Sequence, residues 1–105
     1  MTDALLVFTT LPNLDKVHAL AKALVEERLA ACANLLPAVR SIYRWEGKLQ
    51  DENEVLVLLK TRAENVERFK VRILELHSYE VPEVLAVPVE SGYQAYLEWL
   101  SGATR

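Results

Sequence analysis

One cysteine, two histidines, three glycines and four prolines among 105 residues leave little material for several common kinds of site. Cys32 alone cannot close an intrachain disulfide, which excludes a stapled scaffold. Nor can it form a closed structural zinc site of the Cys-rich kinds, and His18 and His77 are the only histidines. Gly47, Gly92 and Gly102 stand too far apart to form a glycine-rich phosphate loop. There is no basic surplus: 12 Lys and Arg face 15 Asp and Glu, for a formal net charge of −3. A nucleic-acid partner or an anionic membrane surface is therefore not expected. No stretch approaches the ~18 consecutive apolar residues of a membrane span. The opening residues Met1-Thr2-Asp3-Ala4 carry no basic segment, so no secretory leader is read there and a reducing cytoplasm is expected.

What is present is an ordinary globular composition, 51% hydrophobic and 26% charged, in a chain the size of one domain, 1–105. Ala4–Thr10 reads as a short buried strand ended by Leu11-Pro12-Asn13. Asn13 is a good N-cap for a helix running to about Ala31, with Val17, Leu20, Ala21 and Leu24 on one face. From Cys32 to Trp45 the period changes to strand spacing, interrupted by Pro37, which implies an edge position or a bulge. Glu46-Gly47-Lys48 is a hairpin turn and Glu54–Lys60 the return strand, apolar enough for burial on both faces. Asn65–His77 is a second helix, Val84–Val89 a fourth strand, and Ser91-Gly92 opens a short last helix. Strand, helix, strand, strand, helix, strand and terminal helix make an α+β, ferredoxin-like βαββαβ sandwich on an antiparallel sheet. Residues 34–45, extended at about 3.3 Å each, span roughly 40 Å, whereas a compact 105-residue domain is about 34 Å across. The hairpin should therefore overhang its own domain, exposing Ile42, Tyr43 and Trp45 to a partner.

Few residues carry recognisable chemistry. Cys32 and His77 both lie at helix-to-loop junctions, where a thiol and an imidazole could meet as nucleophile and base or as metal ligands. A carboxylate such as Glu54 or Glu83 could complete such a set. The plainer readings are a small packed thiol for Cys32 and a histidine favoured by the helix C-terminus for His77. His18 reads as a solvated surface residue. Lys60 shares a strand face with Glu54, so it is either a strand-end lysine reaching water or a cation in a pocket. Tyr43, Trp45 and Tyr79 could form an apolar wall, or serve as core and interface. No catalytic motif is established, so no enzyme and no organic cofactor are expected. The aromatic pattern of an RNA-binding sheet is missing from Glu54–Lys60.

Five segments in this order and spacing carry a resemblance: Ala30-Ala31-Cys32-Ala33-Asn34; Ser41-Ile42-Tyr43-Arg44-Trp45-Glu46-Gly47-Lys48; Glu54 with Lys60-Thr61; His77-Ser78-Tyr79-Glu80-Val81-Pro82-Glu83; and Tyr96-Leu97-Glu98-Trp99-Leu100. Together they resemble the CutA family of divalent-cation tolerance proteins over nearly the whole chain. The resemblance implies a homotrimer similar in architecture to the PII signalling proteins, with the long hairpins pairing between subunits. It implies a role in tolerance of copper or another divalent cation. It also implies an intersubunit cleft around Cys32, Trp45, Glu54, Lys60, His77 and Tyr79, to which Glu83 is added here. His77 and Cys32 are then the candidate metal ligands. Lys60 and Glu54 are a charged pair poising the cleft, and Trp45 and Tyr79 its wall. Thr9 and Leu76 stand where some bacterial members carry Cys and His, so that part of a copper set is missing. The alternative is a PII-like signalling or scaffold module that binds a protein partner, with metal binding incidental.

Overall fold

The structure is a computed structural model describing residues 2–105; Met1, named above with the opening segment, lies outside the described residues. Strand β1 (Ala4–Leu11), helix α1 (Leu14–Glu26), strands β2 (Cys32–Trp45) and β3 (Lys48–Arg62), helix α2 (Val66–Leu76), strand β4 (Leu85–Pro88) and helix α3 (Gln94–Ala103) follow in order. A single 3₁₀ turn, Ala63–Asn65, leads into α2. The sheet order is β2-β3-β1-β4, and every pairing is antiparallel. This is the expected ferredoxin-like topology, with α1 and α2 on one face.

Alternation along the strands decides what each face buries. Val7 and Leu11 of β1 and Val55, Val57 and Leu59 of β3 point toward the two long helices. They pack with Val17, Leu20 and Leu24 of α1 and Phe69 and Ile73 of α2. Phe69 and Ile73 are four apart, so they fall on one stripe of α2, and both are fully buried. Burial of each such side chain is worth about 1.5–3 kcal/mol. On the other face, α3 covers only one end of the sheet, where Leu100 and Leu97 pack on Ala4, Ala31 and Val89. The rest of that face is open. Leu36, Leu85 and Val87 are 38%, 60% and 46% exposed.

Three boundaries differ from the sequence expectation. Helix α1 stops at Glu26 rather than near Ala31, because Arg28 turns to a left-handed φ of 61°. The amides of Leu29 and Ala30 then both bond the Leu24 carbonyl, at 3.0 and 3.1 Å, which closes the helix end. Strand β3 begins at Lys48 rather than Glu54. Its first residues are polar and lack an apolar rhythm, but pairing with β2 satisfies their backbone, from Trp45↔Lys48 to Val39↔Glu54. Strand β4 is shorter than Val84–Val89 and pairs only with β1, which leaves Pro88 on an edge. Pro37 sits in a register shift between Leu36 and Val39, with Ala38 at φ 63°, on a strand that is also an edge. The molecule measures 44 × 25 × 23 Å. Its long axis reflects the projecting β2–β3 hairpin, with Ile42 and Leu49 66% and 69% exposed. The turn places Glu46 at φ 50° and Gly47 at φ 77°, a pair of left-handed residues that matches the twist of the strands.

Candidate ligand pocket

The segment after α2 is fastened to the sheet by His77. Its Nε2 lies 2.8 Å from the Thr10 carbonyl oxygen, which can only accept, so Nε2 carries the proton. Its Nδ1 accepts the backbone N–H of Tyr79 at 3.0 Å. Both ring nitrogens are thereby occupied, and the imidazole is held neutral. Burial lowers its pKa from the ordinary 6.5, against smaller opposing pulls from the Thr10 carbonyl and the Glu54 charge. The His77 and Tyr79 rings lie 5.0 Å apart, tilted by 43°.

This anchoring aims Tyr79 at β3. Its hydroxyl donates to Glu54 Oε2 at 2.7 Å. Burial, then the hydrogen bond to Glu54, raise the Tyr79 pKa well above the phenol range, so it stays protonated. Glu54 is only 6% exposed and has no Lys, Arg or His within ion-pair distance among the described residues. Nearby, Tyr43 donates to Glu52 Oε2 at 3.0 Å, and that bond raises the Tyr43 pKa.

Between the hairpin and the post-α2 segment lies an open cavity of about 660 Å³. Ser41, Tyr43 and Trp45 of β2 form one side, Tyr79 through Glu83 the other, and Thr10 and Glu54 belong to the sheet between them. Its charged lining residues are Glu54, Glu80 and Glu83. The structure thus gathers Trp45, Glu54, Tyr79 and Glu83 of the expected cleft. Thr10, Ser41, Glu80 and Val81 were not singled out beforehand. The run Tyr79-Glu80-Val81-Pro82-Glu83 signalled a segment, but no local pattern shows that it faces β2.

The other expected members lie elsewhere. Lys60 donates to the Tyr96 hydroxyl at 3.3 Å and sits 5.5 Å over its ring. It is six residues from Glu54 along β3, about 20 Å, so the two do not form a charged pair within one chain. Cys32 is the cross-strand partner of Lys60, with Sγ 3.7 Å from Asn34 Oδ1. It therefore belongs to the Lys60 end, while His77 is tied to Thr10 near the other end. The chain does not bring the two candidate copper ligands together, and His77 has no free nitrogen to offer. Among the described residues, no three His, Cys, Asp or Glu side chains gather as a metal-ligand set. The residues do not fit a copper centre contained within one chain. Thr9 is fully buried with its hydroxyl unpartnered, and Leu76 packs on the main core.

Fold and pocket together define a ferredoxin-like α+β module whose extended hairpin overhangs an acidic, aromatic-walled cavity. The chain belongs to the CutA1 divalent ion tolerance protein family, whose model matches residues 5–103. It is 46% identical over 94 residues to the divalent-cation tolerance protein CutA of Thermus thermophilus, covering 90% of this chain and 91% of that protein. It is 42% identical over 102 residues to the chloroplastic CutA of Arabidopsis thaliana, covering 97% of this chain but only 56% of that longer protein. The crystal structure of CutA from Xylella fastidiosa superposes with a TM-score of 0.96 at 39% identity, over 99% of this chain and 100% of that one. The expectation of a cytoplasmic protein does not stand. The Arabidopsis relative is chloroplastic, and a 32% identical CutA structure from Archaeoglobus fulgidus, TM-score 0.93 over 97% of this chain and 99% of that one, is described as periplasmic. A lone thiol and an acidic surface are compatible with each of these compartments, so composition does not choose among them. No helix among the described residues is long and apolar enough to cross a membrane.

Proposed function

We propose that this protein serves divalent-cation tolerance as a homotrimer that binds a cation in the pocket beneath its hairpin, acting by binding rather than by catalysis. The observation that carries this is Glu54. A carboxylate almost wholly out of water, with one phenol donor and no cationic partner among the described residues of its chain, is a group that a bound cation stabilises. Glu80 and Glu83 add charge of the same sign across the opening. Oxygen donors of this kind suit hard divalent ions more than copper, with water or a neighbouring subunit filling the remaining coordination positions. The exposed apolar sheet face and the overhanging hairpin support self-association, because both leave apolar surface for another copy to cover.

The test is calorimetric titration of metal-free protein with Mn(II) and Cu(II), in the wild type and in the Glu54→Gln and His77→Ala variants. Mn(II) binding weakened at least ~10-fold by Glu54→Gln, the loss of one charged ligand contact being worth about 1.4 kcal/mol or more, is the expected result. Binding that Glu54→Gln leaves unchanged but His77→Ala abolishes would move the site out of this pocket.

A further inference from the structure

We propose that the pocket beneath the hairpin recognises an organic ammonium ion, an amine or quaternary ammonium on a small apolar body. The inference rests on the reading of this pocket as a cation site and names a ligand class for it. Three features point the same way. The first is size: about 660 Å³ lies in the range of small-molecule sites and is far more space than a bare ion needs. The second is the wall, since Tyr43, Trp45 and Tyr79 all line the cavity. Aromatic faces attract cations through the ring quadrupole, most strongly for Trp, and favour weakly hydrated organic cations over tightly hydrated metal ions. Both tyrosines donate their hydroxyls to carboxylates, Tyr43 to Glu52 and Tyr79 to Glu54. A phenol that donates to an anion gains electron density in its ring, which strengthens that attraction. The third is charge. Among the described residues of the chain, Glu54 lies at the cavity without a counter-ion, Glu80 and Glu83 flank it, and no Lys or Arg lines the cavity.

The geometry also assigns roles. Glu54 supplies the charge at the sheet end, and its hydrogen bond from Tyr79 holds it in place. Trp45 supplies the outer apolar face on the hairpin, where it is 41% exposed within the single chain.

The experiment is titration of the metal-free protein with tetramethylammonium and n-butylammonium at matched ionic strength, with 1-butanol as the uncharged counterpart. Binding is read by calorimetry and by Trp45 fluorescence in a Trp99→Phe background, where Trp45 is the remaining tryptophan. Saturable ammonium binding is expected, with none for 1-butanol. Glu54→Gln should weaken it about 10-fold and Trp45→Leu about 5-fold, the scale of one charge contact and one cation–π contact. Glu54→Gln keeps an acceptor for Tyr79, and Trp45 is a half-exposed hairpin residue; circular dichroism of both variants confirms that each is folded. Mn(II) should compete with the ammonium ion for the same carboxylate. Mn(II) binding without ammonium binding would overturn the ammonium inference and leave the cation-site reading standing. Absence of both would overturn the two together. Ammonium binding that ignores Glu54→Gln and Trp45→Leu would also overturn it.

Discussion

Thr9 and His77 show how much a single position in this chain depends on its partners. Thr9 is fully buried and its hydroxyl has no hydrogen-bond partner. A buried polar group without a partner costs its full desolvation, whereas an apolar group of the same shape does not. Thr9→Val should therefore stabilise the fold by about 1–2 kcal/mol, seen as a higher urea midpoint at unchanged slope. A lower midpoint would mean that the hydroxyl is paired in solution. His77 is held neutral, with its pKa lowered by burial. The unfolded chain consequently binds more protons than the folded chain once pH falls below about 6.5. The stability His77 contributes is complete above that pH and is lost as pH falls through the folded pKa. Protonation would also force Nδ1 to give up the Tyr79 amide and release the segment bordering the pocket. Urea midpoints at several pH values between about 7.5 and 5 should drop for the wild type and stay flatter for His77→Gln. Parallel curves would assign the titration to another group.

Among the elements, α3 is the one most dependent on a few polar contacts. Its moderate apolar contact with Ala4 and Ala31 is reinforced at its end by a buried clasp. Arg62, only 4% exposed, donates through Nε to Thr104 Oγ1 and through its Nη2 to the Thr104 carbonyl, both at 2.9 Å. Asn65 donates to the same carbonyl at 2.8 Å, and the Thr104 hydroxyl in turn donates to the Leu100 carbonyl at 2.9 Å. Thr104→Val strands the Arg62 Nε–H in a buried setting. It should cost about 1–3 kcal/mol, the desolvation of an unpaired donor, and should speed amide exchange in α3 before that in α1. Uniform exchange across both helices would mean that the clasp has no local role. The hairpin contrasts with α3. Its polar cross-strand pairs, Arg40 with Asp51 and Tyr43 with Glu52, are exposed and contribute little to stability. The extension is kept instead by continuous backbone pairing from Val39 to Lys48.

For the whole molecule, the unequal covering of the two sheet faces is the main fact. The helix face is closed by α1 and α2, while the other carries Leu36, Leu85 and Val87 in the open beyond the reach of α3. Self-association through this face predicts a sedimentation mass three times the 11.9 kDa of the chain. It also predicts a melting temperature that rises with protein concentration, since folding and assembly are then linked by mass action. Leu36→Lys places a charge on the exposed face without touching the main core. It should lower the mass toward that of a single chain. A concentration-independent melting temperature together with a single-chain mass for the wild type would remove the trimer and leave the pocket bounded by one chain alone.

The element order, the ferredoxin-like topology and the overhanging hairpin were legible in the sequence, because each rests on local periodicity, turn residues and chain length. The family was legible too, through the spacing of Ser41–Lys48 and His77–Glu83. Positions along β3 illustrate where such reading stops. Glu54 and Lys60 share a face by counting, yet about 20 Å of strand separates them, and only register shows that Lys60 stands across from Cys32 rather than near His77. Likewise, nothing local to His77 reveals that a strand carbonyl and a following amide occupy both its nitrogens. Periodicity reports which side of an element a residue faces and how often. Which residues meet is set by long-range pairing and packing, and that is why only the tertiary structure shows His77 and Cys32 apart within the chain and Glu54 buried beneath an aromatic hairpin.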